Sequence, residues 1–168
     1  MTKDYGLEEA LDIAIAAELK ARAFYAQAAV EIQDPRGRDL LSRLAAFEQH
    51  HYDKLVELQQ SLQKRGEYVE YAGQTMGSVV PLRGRGEAAG TLLDEMGDEA
   101  GILTKAIENE KAAGERYRVL ADQTEDETGR AMFRRLAEEE MMHQRILEDE
   151  FYSLSNQGVW GWSGMYGE

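Results

Sequence analysis

An all-α four-helix bundle built from two related hairpins is the fold this sequence predicts, and three observations predict it. Four stretches carry apolar residues at i, i+3, i+4 and i+7, the signature of amphipathic helices. The second pair of stretches repeats the first at an offset of 92 residues: residues 14–55 laid on 106–147 without a gap give fifteen identities in forty-two positions. Between the pairs lies a Gly-containing segment of weak periodicity, long enough to carry the chain from one end of a bundle to the other.

The first helix is predicted over about 7–33, with Leu7, Leu11, Ala14, Ile15, Glu18, Ala21, Tyr25, Ala28, Ala29 and Ile32 on one face. Asp34-Pro35-Arg36-Gly37 ends it, because the residue before Pro is driven out of the helical region and Pro suits the first turn of the next helix. The second helix, about 36–65, turns Leu40, Leu41, Leu44, Phe47, Glu48, His51, Leu55, Leu58 and Leu62 inward and stops at Gly66. Residues 66–97 form the crossover, with a short helix expected over Glu87 to Met96. The third helix, about 98–123, shows Ile102, Leu103, Ala106, Ile107, Glu110, Ala113, Tyr117, Leu120 and Ala121 on its face. In the second turn Glu127 replaces Pro35, and the fourth helix, about 127–152, directs Phe133, Leu136, Glu140, His143 and Leu147 inward. Residues 1–152 are thus read as one bundle domain and 153–168 as a tail. That tail carries Trp160, Trp162, Met165 and Tyr166 among glycines. It reads as a flap burying aromatic surface against the bundle or a second subunit, the alternative being a dock for a different partner.

At 168 residues the chain can bury a continuous core without staples. Cysteine is absent, which excludes disulfides, thiolate chemistry, zinc fingers and iron–sulfur sites within the chain, so any metal must be held by oxygen and imidazole. With 19 basic and 32 acidic residues, formally −13, neither nucleic acid nor an anionic membrane is an expected partner, whereas cations are. No apolar run approaches the ~20 residues of a membrane span and the N-terminus lacks a signal-peptide pattern, so a cytoplasmic protein is expected.

Four acids interrupt the apolar stripes. Glu48 and His51 on the second helix, and Glu140 and His143 on the fourth, are Glu-x-x-His pairs, and residues three apart on a helix lie about 5–6 Å from one another, close enough to converge on one ion. Each pair is complemented by a lone Glu on the preceding helix, Glu18 or Glu110. Acids on core-facing positions are costly unless paired or metal-bound. Two divalent ions would neutralise the four carboxylates, and oxygen-rich ligation with two imidazoles favours iron or manganese over softer metals. His50 lies about 100° around the helix from His51 and is read as a surface or interface residue. On the same angular ground Glu108, Glu115, Glu138, Glu139 and Glu148 are read as solvated.

The phrases Ala14-Ile15-Ala16-Ala17-Glu18 through Tyr25 and Ala106-Ile107-Glu108-Asn109-Glu110 through Tyr117, with Leu44 to His51 and Leu136 to His143, resemble the ferritin-like di-iron carboxylate proteins, specifically rubrerythrins without a rubredoxin domain. The resemblance covers residues 7 to 152 and implies a ferritin-like bundle with two Fe ions per chain, manganese or zinc being substitutes. It further implies that Glu48 and Glu140 bridge the metals, that Glu18 with His51 and Glu110 with His143 are terminal ligands, and that Tyr25 and Tyr117 hold ligand carboxylates, a plain core aromatic being the alternative for each tyrosine. The implied chemistry is oxidation of a di-ferrous centre by peroxide or dioxygen, as a peroxidase or ferroxidase, with electrons from a separate donor protein. A homodimer or higher homo-oligomer is expected. An iron-storage or iron-handling protein, and a helical interaction protein with a vestigial site, are the alternatives. The chain departs from the rubrerythrin pattern at Ala113, where a further Glu is expected three residues after the third-helix ligand; the matching first-helix residue is Ala21.

Overall fold

The computed structural model describes residues 6–82 and 99–164. Four long helices account for the bundle: α1 (Leu7–Glu31), α2 (Pro35–Arg65), α3 (Glu99–Gln123) and α4 (Glu127–Gln157). The described residues include no strand. The helix expected over 87–96 lies outside the described residues, as do Met165 and Tyr166 of the tail.

Both hairpin turns use the same local chemistry. Asp34 accepts from the Arg36 amide at 2.9 Å and Asp126 from the Gly129 amide at 2.9 Å, each occupying an orphan donor at a helix start. The repeat extends to the incoming chain: Arg38 Nε donates to the Ile32 carbonyl, and Arg130 Nε to that of Thr124 at 3.0 Å, the same contact 92 residues on. Gly37 and Gly129 recur because each is approached by a ring from outside the repeat. A Cβ on Gly37 would lie 2.7 Å from the Trp160 ring, and one on Gly129 would strike Tyr68.

The fourth helix runs five residues beyond its predicted end, to Gln157. Nothing between Tyr152 and Gln157 breaks a helix, and the stop is Gly158, which takes the left-handed conformation (φ 71°) that closes a helix C-terminus. The chain then folds over the bundle end. Trp160 and Trp162 are each 1% exposed; their indole N–H groups donate to Glu99 and Asp39, both at 2.8 Å, and Glu150 accepts from the Gly161 amide. These two tryptophans therefore cap the bundle.

Residues 66–82 form a strap, pinned at intervals, that returns along α2. Ser61 Oγ donates to the Glu67 carbonyl, Arg43 Nη1 to those of Met76 and Val79, and the Leu82 amide to that of Ser42. The strap thus spans the bundle from the end of α2 back to the level of its start, so α3 begins beside the end of α1 and runs antiparallel to it. Two apolar layers result. One gathers Phe24, Ala28, Ile32, Leu40, Leu44, Ile102, Leu103 and Leu147 near the tryptophans, and the other gathers Leu11, Leu55, Leu58, Leu120, Phe133 and Leu136 at the opposite end. The acids of the stripes lie between them.

Candidate metal centre

Each helix delivers its polar residue to the interior by continuing an apolar stripe. Glu18 follows Leu11 and Ala14 on α1, and Glu110 follows Leu103 and Ala106 on α3; Glu48 with His51 and Glu140 with His143 occupy consecutive inward turns of α2 and α4. All six side chains are 3% exposed or less. They form two overlapping groups, Glu18, Glu48, His51 and Glu140 in one and Glu48, Glu110, Glu140 and His143 in the other, with the donor atoms of each group within 4.8 Å of one another. Glu48 and Glu140 belong to both groups, a placement open to residues that touch two ions at once.

Tyr25 and Tyr117 reach across the bundle reciprocally. Tyr25 Oη donates to Glu110 Oε1 at 2.6 Å, and Tyr117 Oη donates to Glu18 Oε1. Each tyrosine orients the carboxylate of the other repeat, and both phenols titrate well above the ordinary range because they are buried beside carboxylates.

The electrostatics are those of a crowded buried cluster. Burial, then the charges of Glu140, Glu18 and Glu110, push Glu48 well up; burial and the charges of Glu110 and Glu18 bring Glu140 to about 8. Burial also acts on Glu18 and Glu110 but is outweighed. Glu48, His51 and Tyr117 hold Glu18 below its usual value, and Glu140, His143 and Tyr25 do the same for Glu110. Burial would depress both histidines, yet Glu18, Glu139 and Glu140 raise His51, while Glu110 and Glu140 raise His143 to about 9. Burial and mutual repulsion thus oppose ionisation at Glu48 and Glu140, while hydrogen bonds and the imidazoles favour it at Glu18 and Glu110.

Several donors and acceptors of the cluster have no partner. Glu18 Oε2, Glu110 Oε2, Glu140 Oε2 and both ring nitrogens of His143 are buried without a hydrogen-bond partner. Orphaned buried polar atoms are uncommon in folded proteins, and a set of them within one cluster of oxygen and imidazole donors fits a pair of divalent cations. A cavity of about 300 Å³ reaches this cluster between α1 and α3, lined by Ala17, Ala21 and Ala113 with Lys20, Lys105 and Arg116. Ala113 thus stands where the carboxylates meet the cavity.

Two neighbours of the cluster are not legible from periodicity. Glu139, read as solvated, is 4% exposed: the strap covers its side of α4, Tyr71 Oη donates to both of its carboxylate oxygens, and His51 Nε2 lies 3.2 Å from Oε1. Helical angles account for the four helices alone, whereas the strap makes a fifth wall. Tyr71, the second neighbour, sits in the aromatic run Tyr68-Val69-Glu70-Tyr71, a signal of burial within the crossover. His50 is half-buried, its ring centroid 5.9 Å from that of Tyr71. Glu108, Glu138 and Glu148 are exposed, as is Glu115, which pairs with Arg118.

Residues 101–158 match the family model described as Rubrerythrin. The fold is similar to a solved structure described as a hypothetical protein from Pyrococcus furiosus, with a TM-score of 0.72 and 28% identity over 95% of this chain and 96% of that one. Comparison with curated proteins finds no match. No described helix is long and apolar enough to cross a membrane. The matched stretch carries the third- and fourth-helix residues Glu110, Tyr117, Glu140 and His143, so over its second hairpin this chain is similar to the Rubrerythrin family.

Proposed function

We propose that this protein is a di-iron oxidoreductase in which Glu48 and Glu140 bridge two ions, Glu18 and His51 complete one coordination sphere, and Glu110 and His143 complete the other. The observation that carries this reading is the overlap of the two donor groups at Glu48 and Glu140, with unsatisfied carboxylate oxygens in the same cluster. Bound iron would supply two one-electron equivalents, the number needed to reduce one peroxide to two waters.

The chain's own residues supply the rest. Tyr25 and Tyr117 restrain the terminal carboxylates through one oxygen each and leave Glu110 Oε2 and Glu18 Oε2 free for a cation. The apolar layers above and below the centre exclude bulk water, and the Ala-lined cavity gives a small oxidant a path in. Since the chain contains no cysteine, electrons come from a separate donor protein.

Anaerobic loading with Fe(II), elemental analysis and stopped-flow mixing with hydrogen peroxide or dioxygen test the proposal. Two irons per chain in a small oligomer, oxidised within the mixing experiment, are expected. A large shell holding excess iron would favour storage, and a protein that binds no iron would end the di-iron reading.

A further inference from the structure

The duplication pairs every proposed ligand with an identical counterpart: Glu18 with Glu110, Glu48 with Glu140, His51 with His143, and Tyr25 with Tyr117. The two copies part company at the outer edges of the histidines. His51 Nε2 lies 3.2 Å from Glu139 Oε1. The residue 92 positions before Glu139 is Phe47, and it is the Phe47 ring that packs on His143, with centroids 4.3 Å apart and planes at 83°. His143 Nε2 has no hydrogen-bond partner.

Glu139 is itself firmly placed. It is 4% exposed, it accepts from Tyr71 Oη, the Gln74 amide approaches it at 3.4 Å, and Arg135 Nε stands 3.6 Å away. A carboxylate that accepts the outer N–H of a histidine fixes the tautomer, aims the other nitrogen at the metal and raises its basicity. His51 Nδ1 is the nitrogen so aimed, 2.9 Å from Glu140 Oε1 and 3.5 Å from both Glu18 Oε1 and Glu48 Oε2. An aromatic ring against His143 holds the imidazole by packing and adds no charge.

We propose that Glu139, acting through His51, makes the two metal positions unequal, so that the position served by Glu18 and His51 binds its divalent ion first and more tightly than the position served by Glu110 and His143. This asymmetry rests on the metal-centre reading given above. Glu139 is a positioning residue here, since it touches the imidazole and not the ion.

Titration of the metal-free protein with Mn(II), followed by calorimetry and by the electron paramagnetic resonance signal of free Mn(II), tests it without recourse to activity. The wild type should bind in two steps whose affinities differ by about 10-fold or more, the range typical for such outer partners. Glu139→Gln, isosteric and still able to accept from His51, should weaken the tighter step by about 10-fold and leave the weaker step in place. His51→Ala should remove the tighter step, and His143→Ala the weaker. Tyr71→Phe, which keeps the Glu139 charge, should preserve the order of loading. Two equal steps in the wild type, unequal steps that persist in Glu139→Gln, or a Glu139→Gln protein in which both steps weaken together would overturn the inference and leave the metal centre standing. Absence of any Mn(II) binding by the wild type would overturn both.

Discussion

Tyr25 on α1 donates its hydroxyl proton to Glu110 on α3, 85 residues away, and Tyr117 on α3 returns the same bond to Glu18 on α1. The two hairpins are cross-tied through the carboxylates assigned as terminal ligands. Tyr25→Phe removes the bond and leaves Glu110 Oε1 buried without it, which should cost about 1–3 kcal/mol in the metal-free protein. Tyr117→Phe should act alike through Glu18. Chemical denaturation measures both; a loss below about 0.5 kcal/mol would show that the hydroxyls do not hold the carboxylates.

Glu48 and Glu140 belong to both donor groups, so each is shared where Glu18 and Glu110 are not. Glu48→Ala or Glu140→Ala should abolish binding of a second ion as well as weaken the first. Glu108→Ala, on the solvent face of α3, should leave stoichiometry unchanged. Iron content after anaerobic loading decides the matter, and a Glu48→Ala protein that retains two irons per chain would remove Glu48 from the bridging role.

The shifted groups of the cluster give the metal-free protein a distinctive pH dependence. Glu48, Glu140, His51 and His143 all titrate above their ordinary values in the folded state, Glu140 at about 8 and His143 at about 9. A group raised in this way stabilises the fold below its unfolded value and loses that contribution as pH climbs through the folded one. The melting temperature of the metal-free protein should therefore fall between about pH 5 and pH 9. Glu18 and Glu110 are shifted downward, so their contribution is present above the ordinary carboxylate range and is lost in acid. Loading divalent ions near pH 7 should expel protons, because Glu140 at about 8 and His143 at about 9 hold theirs at that pH and must release them to ligate. Calorimetry in buffers of different ionisation enthalpy counts them, and binding without proton release would contradict these shifts.

The helices and their inward faces are legible in the sequence because apolar periodicity and duplication report the same thing twice. Glu18, Glu48 and His51 read as interior because their counterparts Glu110, Glu140 and His143 recur at the same offset. What periodicity does not carry is the contribution of segments outside the repeat. Glu139 sits beside the core imidazole of His51 and is covered by Tyr71 of the strap, a contact with no local signature in α4. The predicted end of α4 falls short for a related reason. Periodicity does not mark the true end: the stop is set by the backbone freedom of Gly158. A comparison of Phe47 with Glu139 across the repeat holds the missing clue, since a charge replacing a core phenylalanine on one side only requires a partner.

Ala113 is the departure from the rubrerythrin pattern with the most direct chemical consequence. In that pattern an additional carboxylate offers one ion an alternative ligand as its charge rises, letting it exchange imidazole for carboxylate. Here Ala113 and its counterpart Ala21 line the cavity that reaches Glu18, Glu48, Glu110 and Glu140, and neither side chain can coordinate. His51 and His143 should therefore remain bound in both oxidation states, and the preference for peroxide over dioxygen should be weaker than the pattern implies. Ala113→Glu places a carboxylate where the cavity has room for it and should raise the ratio of the peroxide to the dioxygen rate. Stopped-flow oxidation of the di-ferrous protein by each oxidant, in wild type and variant, gives that ratio. If the two proteins show the same ratio while both bind two irons, the methyl group at this position has no part in selecting the oxidant.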